Sequence, residues 1–201
     1  MAYASWVTPN KTSGNGNDTV AWSGSTHTGR SSRTTTATFS ASGVASKTLT
    51  IIQSGKTEFV TMDDTASVAK AGGTVTIHGT SNSSKLTFAL TGNNGIGLVL
   101  PTTYKANSVN TNNGAAITGD PGATQQYTFE ITFSNIGANS TVNAKVSQLT
   151  VTDNAGNTDT CEITQAAGDA YLSISPTTIT IPAAGTAQSV SVSSNTSWSI
   201  S

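Results

Sequence analysis

The stretch KTLTIIQSGKTEFV, residues 47–60, decides the fold of this chain. Apolar and polar side chains alternate along it until a Gln, small residues and a Gly end the alternation, which is typical of a last β-strand and its exit. The same pattern returns in DTCEITQAAGDAYL, residues 159–172. Aligning Gln53 with Gln165 also pairs Ile51 with Ile163, Phe59 with Tyr171 and Val60 with Leu172. The chain therefore contains an internal repeat about one small domain long.

A second repeated pattern marks the beginning of a domain. It reads VAKAGGTVTIHGTSNSSKL from Val68 and IPAAGTAQSVSVSSNTSW from Ile181. Alignment of the two copies pairs Gly72 with Gly185, Val75 with Val190 and Ile77 with Val192. The order of the patterns predicts the C-terminal half of a domain at 1–57, a complete domain at 58–168 and the N-terminal half of a domain at 169–201.

Composition excludes several classes of protein. The 201 residues suffice for one to two domains, charged residues make up 9%, and the formal net charge is −1. We therefore expect no nucleic acid or anionic membrane as a partner, because both attract basic surfaces. No apolar stretch approaches a membrane span, and the N-terminus MAYASWVTPNK has no signal-peptide pattern. The single cysteine, Cys161, excludes an intrachain disulfide and fits a reducing cytosol.

Apolar alternation predicts an all-β chain that is poor in helix. Toward the N-terminus we expect strands near 5–7, 19–23, 34–40 and 47–53. Toward the C-terminus we expect two or three strands that end at Pro176 and Pro182. The alternation is clearest in Leu49-Ile51, Val75-Ile77, Phe129-Ile131-Phe133, Ile179-Ile181 and Val190-Val192. Residues 91–125 form a long polar insertion with strong turn signals, so we expect a functional surface loop or a loop held by a partner.

Joining the C-terminal end of the chain to its N-terminal end gives a composite with a family resemblance. The elements that carry it are LSISP at 172–176, SNTSW at 194–198, SGNGN at 13–17, TGRSSRTTTATF at 28–39 and LTIIQSG at 49–55. The composite resembles a BACON-type domain (Bacteroidetes-associated carbohydrate-binding often N-terminal), which is an immunoglobulin-like β-sandwich. The resemblance implies tandem immunoglobulin-like domains with half-domains at the two termini. It covers the middle domain less well, because the insertion at 91–125 departs from the pattern.

A half-domain alone exposes open sheet edges and half a core, so the two halves need partners. Three arrangements remain open: the halves close on each other within one chain, each C-terminal half completes another subunit, or the sequence is cut from a longer protein. For the first two, the residues expected to assemble the halves are Trp6, Ile179, Ile181, Val190, Val192 and Trp198.

The sequence offers no catalytic constellation, and we expect a protein that is not an enzyme and binds no cofactor or metal. His27 and His78 lie in different repeats, each without a neighbouring carboxylate pattern, and are expected on the surface. Asp63-Asp64 and the run 153–159 carry oxygen ligands but lack the spacing of a calcium loop, so turns explain them better.

Sugar binding is implied by the family name and would use aromatic side chains. Trp22 stands where a strand face could point outward, and Tyr104 and Tyr127 flank or occupy the insertion. These three residues are the candidate carbohydrate contacts.

The resemblance implies two classes of function. BACON-like domains occur in exported enzymes of gut bacteria, and similar domains occur in the virions of tailed gut phages, which are built in the host cytoplasm without an export signal. We expect a virion structural protein, such as a capsid decoration or head-fibre protein, that forms a homo-oligomer, contacts other virion proteins and touches glycans. The alternative is a carbohydrate-binding module of a fibre or a larger surface protein.

Overall fold

A computed structural model describes residues 3–201 and shows an all-β architecture. No helix occurs in this range, and fifteen strands form five sheets. It follows that the described residues contain no helix with the length and apolarity needed to cross a bilayer. The all-β prediction is confirmed.

The first segment, residues 3–57, consists of two separate hairpins. Its strands are β1 (Val7–Pro9), β2 (Trp22–Gly24), β3 (Arg33–Phe39) and β4 (Lys47–Gln53). Strand β1 pairs antiparallel with β2, and β3 pairs antiparallel with β4. Strand β4 has the predicted bounds, whereas β1 and β2 begin two to three residues later than predicted.

The middle domain, residues 58–168, consists of two sheets around one core. Its strands are β5 (Val60–Met62), β6 (Thr65–Val68), β7 (Gly73–Ser81), β8 (Leu86–Asn94), β9 (Thr103–Ala106), β10 (Val109–Asn112), β11 (Tyr127–Ile136), β12 (Lys145–Asp153) and β13 (Thr158–Gln165). One sheet has the order β10-β9-β11-β7-β5 and the other β6-β13-β12-β8. Side chains from both sheets form a single hydrophobic cluster, as expected for two sheets packed face to face.

Alternation along the strands builds this core. On β13, Cys161, Ile163 and Gln165 are buried while the residues between them are more exposed. On β12, Ser147, Leu149 and Val151 follow the same period of two. The alternation in the stretch DTCEITQ predicts an inward position for Cys161 beside Ile163, and the structure confirms it.

The insertion at 91–125 is not the irregular surface loop that the polar sequence predicts. Its hairpin β9-β10 extends the five-stranded sheet through the pairing of β9 with β11. The buried side chains that it adds to the core are Leu98, Tyr104, Ala106 and Ile117. This expectation was wrong because widely spaced apolar residues can anchor a polar segment when a sheet edge is free to pair with it.

The chain enters and leaves the middle domain at opposite poles. At the first pole, Asn157 Nδ2 donates a hydrogen bond of 3.0 Å to the carbonyl of Glu58. At the second pole, Gln165 Nε2 donates one of 2.7 Å to the carbonyl of Gly137. Strand β13 connects the poles with 8 residues, which span about 26 Å at the usual rise of about 3.3 Å per residue.

The last segment, residues 169–201, has one two-stranded sheet, formed by β14 (Leu172–Ser175) and β15 (Ser191–Ser194). The strand predicted at Ile179-Ile181 is not formed. Its counterpart β6 obtains its ladder by parallel pairing with β13, and nothing equivalent to β13 lies beside residues 178–181. A strand without a neighbour cannot satisfy its backbone groups in a sheet, so the apolar alternation alone does not produce one.

Candidate assembly surfaces

The last segment repeats the hydrogen bonds of the first strands of the middle domain. Asn82 Oδ1 accepts from Phe59 N at 2.9 Å, and Asn195 Oδ1 accepts from Tyr171 N at 3.0 Å. The neighbouring serine repeats as well, because Ser81 Oγ donates to the Phe59 carbonyl and Ser194 Oγ donates to the Tyr171 carbonyl. Residues 169–201 therefore have the local structure of the opening half of the middle domain.

This correspondence corrects one alignment made from the sequence. Val60 pairs with Ser81 and Met62 with Gly79, whereas Leu172 pairs with Ser194 and Ile174 with Val192. Val190 and Val192 thus occupy the places of Ile77 and Gly79, two residues later than the sequence alignment gave. The error arose because a Ser/Thr-rich alternating strand matches itself after a shift of two residues, which keeps every side chain on its face.

A tight turn before the aligned strands repeats in both copies. Gly72 N donates to the Ala69 carbonyl at 2.9 Å and Gly185 N to the Pro182 carbonyl at 2.8 Å. Both glycines have a positive φ, 78° and 71°, which a residue with a Cβ adopts only with strain. The match of Gly72 with Gly185 made from the sequence agrees with this geometry.

The first segment repeats the closing half of the middle domain. The pair Arg33 and Gln53 in β3-β4 has its counterpart in Lys145 and Gln165 in β12-β13, at a constant spacing of 112 residues (33 to 145 and 53 to 165). Each glutamine donates to the carbonyl of the residue 28 positions before it. Gln53 Nε2 donates to the Ser25 carbonyl at 2.9 Å, and Gln165 Nε2 donates to the Gly137 carbonyl at 2.7 Å. Residues 3–57 thus contain the local structure of a closing half.

Equivalent side chains differ sharply in exposure. Phe39 is 45% exposed, whereas Val151 at the corresponding position is fully buried. Leu172 is 60% exposed, whereas its counterpart Val60 is 6% exposed. The opening half and the closing half cover each other in the middle domain, and in the terminal segments each half leaves part of its apolar face uncovered. We call these faces the first open face (residues 33–53) and the last open face (residues 172–200).

The first segment is attached at the first pole through Arg30. Its guanidinium donates to the Asn82 carbonyl at 2.6 and 3.0 Å and to the Asp120 carboxylate at 2.7 and 2.8 Å. The hydrogen bond from Arg30 is the main reason that the pKa of Asp120 lies below its usual value. Glu58 lies 3.9 Å from Arg30 Nε and adds negative charge to the same junction.

The last segment is attached at the second pole. Asn195 Nδ2 donates to the Ser140 carbonyl at 3.0 Å, and an exposed ion pair joins Lys70 to Asp169. The two open faces are therefore carried at opposite ends of the middle domain.

The structure separates the residues expected to assemble the halves. Trp6 is partly buried beneath Arg33, whose guanidinium carbon lies 4.5 Å from the ring centroid. Trp198 is 50% exposed and belongs to the last open face. Four further candidates share that face, with Val192 partly buried and the others exposed: Ile179, Ile181, Val190 and Val192. Trp6 and Trp198 do not meet within one chain.

The candidate sugar contacts are not brought together either. Tyr104 and Tyr127 are each 3% exposed, and burial raises the pKa of Tyr104 to about 12. Neither ring presents a face to solvent for a sugar, which corrects their assignment as contacts. Trp22 is partly buried between Tyr3 and Phe39, with ring centroids 5.3 and 6.4 Å away.

A shallow groove of about 580 Å³ crosses the outer face of the five-stranded sheet. His78 and Glu130 lie opposite each other on paired strands, and Lys105 Nζ donates to Glu130 at 2.8 Å. Asp63 Oδ2 accepts from the His78 backbone N at 2.8 Å. Sequence reasoning missed this groove because its residues come from four strands, β5, β7, β9 and β11. The outward positions of His78 and Glu130 in their alternating strands were the available signal.

No group of three His, Cys, Asp or Glu side chains within residues 3–201 is arranged to hold a metal ion. The described structure thus defines an all-β protein with two open apolar faces. Comparison adds no relative, since no protein-family model and no curated protein matches the chain.

Proposed function

We propose that this chain is a non-enzymatic structural protein of a bacteriophage particle. In this proposal it is a capsid auxiliary or head-fibre protein that displays immunoglobulin-like domains of the BACON type and assembles with other virion proteins and with itself. The particle would be assembled in the host cytoplasm.

The observation that carries the proposal is the pair of open apolar faces at opposite poles. Monomeric proteins rarely leave contiguous apolar surface uncovered, and such surface usually marks a site of association. The exposed side chains of the two faces include Phe39, Leu49, Leu172, Ile174, Ile181 and Trp198. Faces at opposite ends suit a module that connects to a neighbour on each side. The assignment to a phage rests on the BACON-like sequence elements and on the single buried cysteine, which fits assembly in a reducing cytosol.

The test is to locate the protein on particles. Antibodies against the 201-residue chain should label the head or head fibres of tailed phage particles in negative-stain immunoelectron microscopy. Mass spectrometry of gradient-purified particles should find the chain at a fixed ratio to the major capsid protein. A chain that stays in the soluble fraction while particles remain unlabelled would refute the proposal.

A second candidate function is glycan binding, which the outer groove supports. Its lining combines His78, Glu130 and Lys105 with the Thr61 and Thr80 hydroxyls, a set that matches the hydroxyl groups of a sugar. Trp22, which is partly exposed, remains the one aromatic candidate with ring surface available.

A glycan array separates the two candidates. Specific binding that is lost in Lys105→Ala would place a sugar in the groove, and loss in Trp22→Ala would place it on the first segment. Thr19→Ala, at an exposed position outside both sites, is the control and should bind as the original chain does. Absence of binding across host and mucin glycans would leave the structural role alone.

A further inference from the structure

We propose that residues 172–201 of one copy complete residues 3–53 of a second copy, so that copies join head to tail through composite domains built like the middle domain. This inference deepens the proposed structural role by naming the partner of the open faces. It follows from the match of each segment to one half of the middle domain.

The two segments of one chain do not reach each other. The first segment is held at the pole of Glu58 by Arg30, and the last segment is held at the pole of Gly168 by Asn195. The strand that connects the poles spans about 26 Å, and both two-stranded sheets of the first segment lack any pairing with β14 or β15. A second copy can bring the complementary face to either pole without such a restriction.

The middle domain shows how the halves fit. There β7 pairs with β11, β6 pairs with β13, and β8 pairs with β12. The corresponding elements of the terminal segments are β15 for β7, residues 178–181 for β6, and residues 199–201 for the start of β8. In the composite domain residues 178–181 would add to β4 and residues 199–201 to β3, because β4 corresponds to β13 and β3 to β12.

The parallel ladder gives the register. In the middle domain Ile163 pairs with Ala66, Thr164 with Ser67 and Gln165 with Val68. This register can be transferred to the terminal segments through the matched turns and hairpins. Ile51 of one copy then pairs with Ile179 of the other, Ile52 with Thr180 and Gln53 with Ile181. Residues 178–181 would then become the strand that their alternation predicts and that the single chain does not form.

One polar group supports this register. Gln165 Nε2 lies within hydrogen-bond distance of two carbonyls, Gly137 at 2.7 Å and Ala69 at 3.5 Å. Gln53 Nε2 donates to the carbonyl of Ser25, the counterpart of Gly137, at 2.9 Å. The counterpart of Ala69 is Pro182, whose carbonyl a second copy would supply. A Gln at this position can thus join the two halves in both domains.

The assembly would be heterologous, because the surface that a copy offers at one pole differs from the surface it accepts at the other. Such contacts generate filaments, or rings when the rotation closes. Strand addition to an exposed sheet edge is also a recurrent way of joining chains.

Complementation of two blocked variants tests the proposal. Leu49→Asp puts a charge on the first open face, and Ile181→Asp puts one on the last open face. Ile52→Asp is the control, because Ile52 is exposed on the opposite side of β4. Light scattering of the full chain should show a mass that grows with concentration, unchanged in Ile52→Asp. Each blocked variant alone should be monomeric, and their equimolar mixture should give a species of two chains.

Other outcomes overturn the proposal. They are a monomeric full chain at high micromolar concentration, a mixture of blocked variants that stays monomeric although circular dichroism shows both to be folded, or a control that loses association.

Disulfide trapping provides a second test that leaves the apolar faces intact. Paired residues on neighbouring strands meet the Cα separation of about 4.4 to 6.8 Å that a disulfide needs. Mixed Ile52→Cys and Thr180→Cys chains should therefore oxidise to a two-chain product, which each variant alone should not form. The matched control, Ser67→Cys with Thr164→Cys in one chain, should close within that chain. A mixture without two-chain product, while the control closes, would refute the register.

Failure of head-to-tail joining and failure of the virion proposal would give different results. Monomeric chains that still label particles would refute head-to-tail joining and keep the virion role. Head-to-tail polymers absent from particles would do the reverse.

Discussion

Truncation of one isoleucine in each copy of the repeat compares a covered face with an open one. Ile163 is fully buried between the sheets of the middle domain, and Ile51 holds the same position on β4 with only part of its surface covered. Ile163→Ala removes the equivalent of about three methylene groups, worth about 0.8 kcal/mol each on burial. The cavity adds to this loss, so we expect the middle domain to lose about 3 to 4 kcal/mol of its free energy of unfolding.

Ile51→Ala should cost about 1 kcal/mol in a dilute, monomeric sample, because much of the Ile51 side chain then stays in contact with water. All three tryptophans lie in the terminal segments, at positions 6, 22 and 198. Urea unfolding followed by tryptophan fluorescence therefore reports on these segments, and far-ultraviolet circular dichroism is dominated by the larger middle domain. A cost below about 1 kcal/mol for Ile163→Ala would refute the placement of β13 in the core. Equal losses in the free energy of unfolding for Ile163→Ala and Ile51→Ala would refute the difference between covered and open faces.

Three further results are expected. Gly79→Ala should destabilise the middle domain by about 1 to 3 kcal/mol in urea titrations, because the added Cβ would lie 2.3 Å from the Thr61 carbonyl and 2.2 Å from the Phe129 ring. Exposed Gly137→Ala serves as the comparison, since its added Cβ would meet nothing within 4 Å and its φ is not positive; equal costs would contradict the packing around Gly79. The ion pair at the first pole stabilises the folded chain above the ordinary Asp pKa of 3.8, and this stabilisation should disappear as pH falls through the lower folded-state pKa of Asp120. Hydrogen exchange of residues 28–32 should rise there, and Arg30→Ala should remove that pH dependence; an unchanged profile would show that the pair does not hold the segment. Burial raises the pKa of the Cys161 thiol to about 11, so iodoacetamide at about pH 8 should label the unfolded chain but not the native one, and rapid native labelling would place Cys161 at the surface.

The groove on the outer face carries the remaining titratable cluster. The Lys105 ammonium lowers the pKa of Glu130. This ion pair lies on an exposed sheet surface, where salt screens its attraction. Sugar or peptide ligands that approach this face would therefore meet a mixed surface rather than one of a single charge.

The sequence predicted most of the elements but not all of their neighbours. Strand β4 and the burial of Cys161 and Ile163 follow directly from alternation with a period of two, which is a local property of the chain. The fold of the insertion was harder to predict from the sequence. Tyr104 reaches the core because β9 pairs with the free edge of β11. Tyr127 looked like a surface aromatic next to a polar insertion, yet its hydroxyl donates to the Ser83 carbonyl at 2.8 Å inside the protein. Pairing and burial of this kind depend on residues distant in the chain, which a single sequence does not specify.

By itself, the sequence determined the strand-forming segments, the internal repeat and the existence of an opening half and a closing half at the two ends. These are encoded in alternation, in the Gly72 and Gly185 turns and in the Gln53 and Gln165 strand ends. Only the tertiary structure decided that the two halves lie at opposite poles, because the direction of β13 and its parallel pairing with β6 set where the chain leaves the middle domain. The separation of the two poles also leaves residues 178–181 without a neighbouring strand in one chain. A strand forms only where a neighbour accepts its hydrogen bonds.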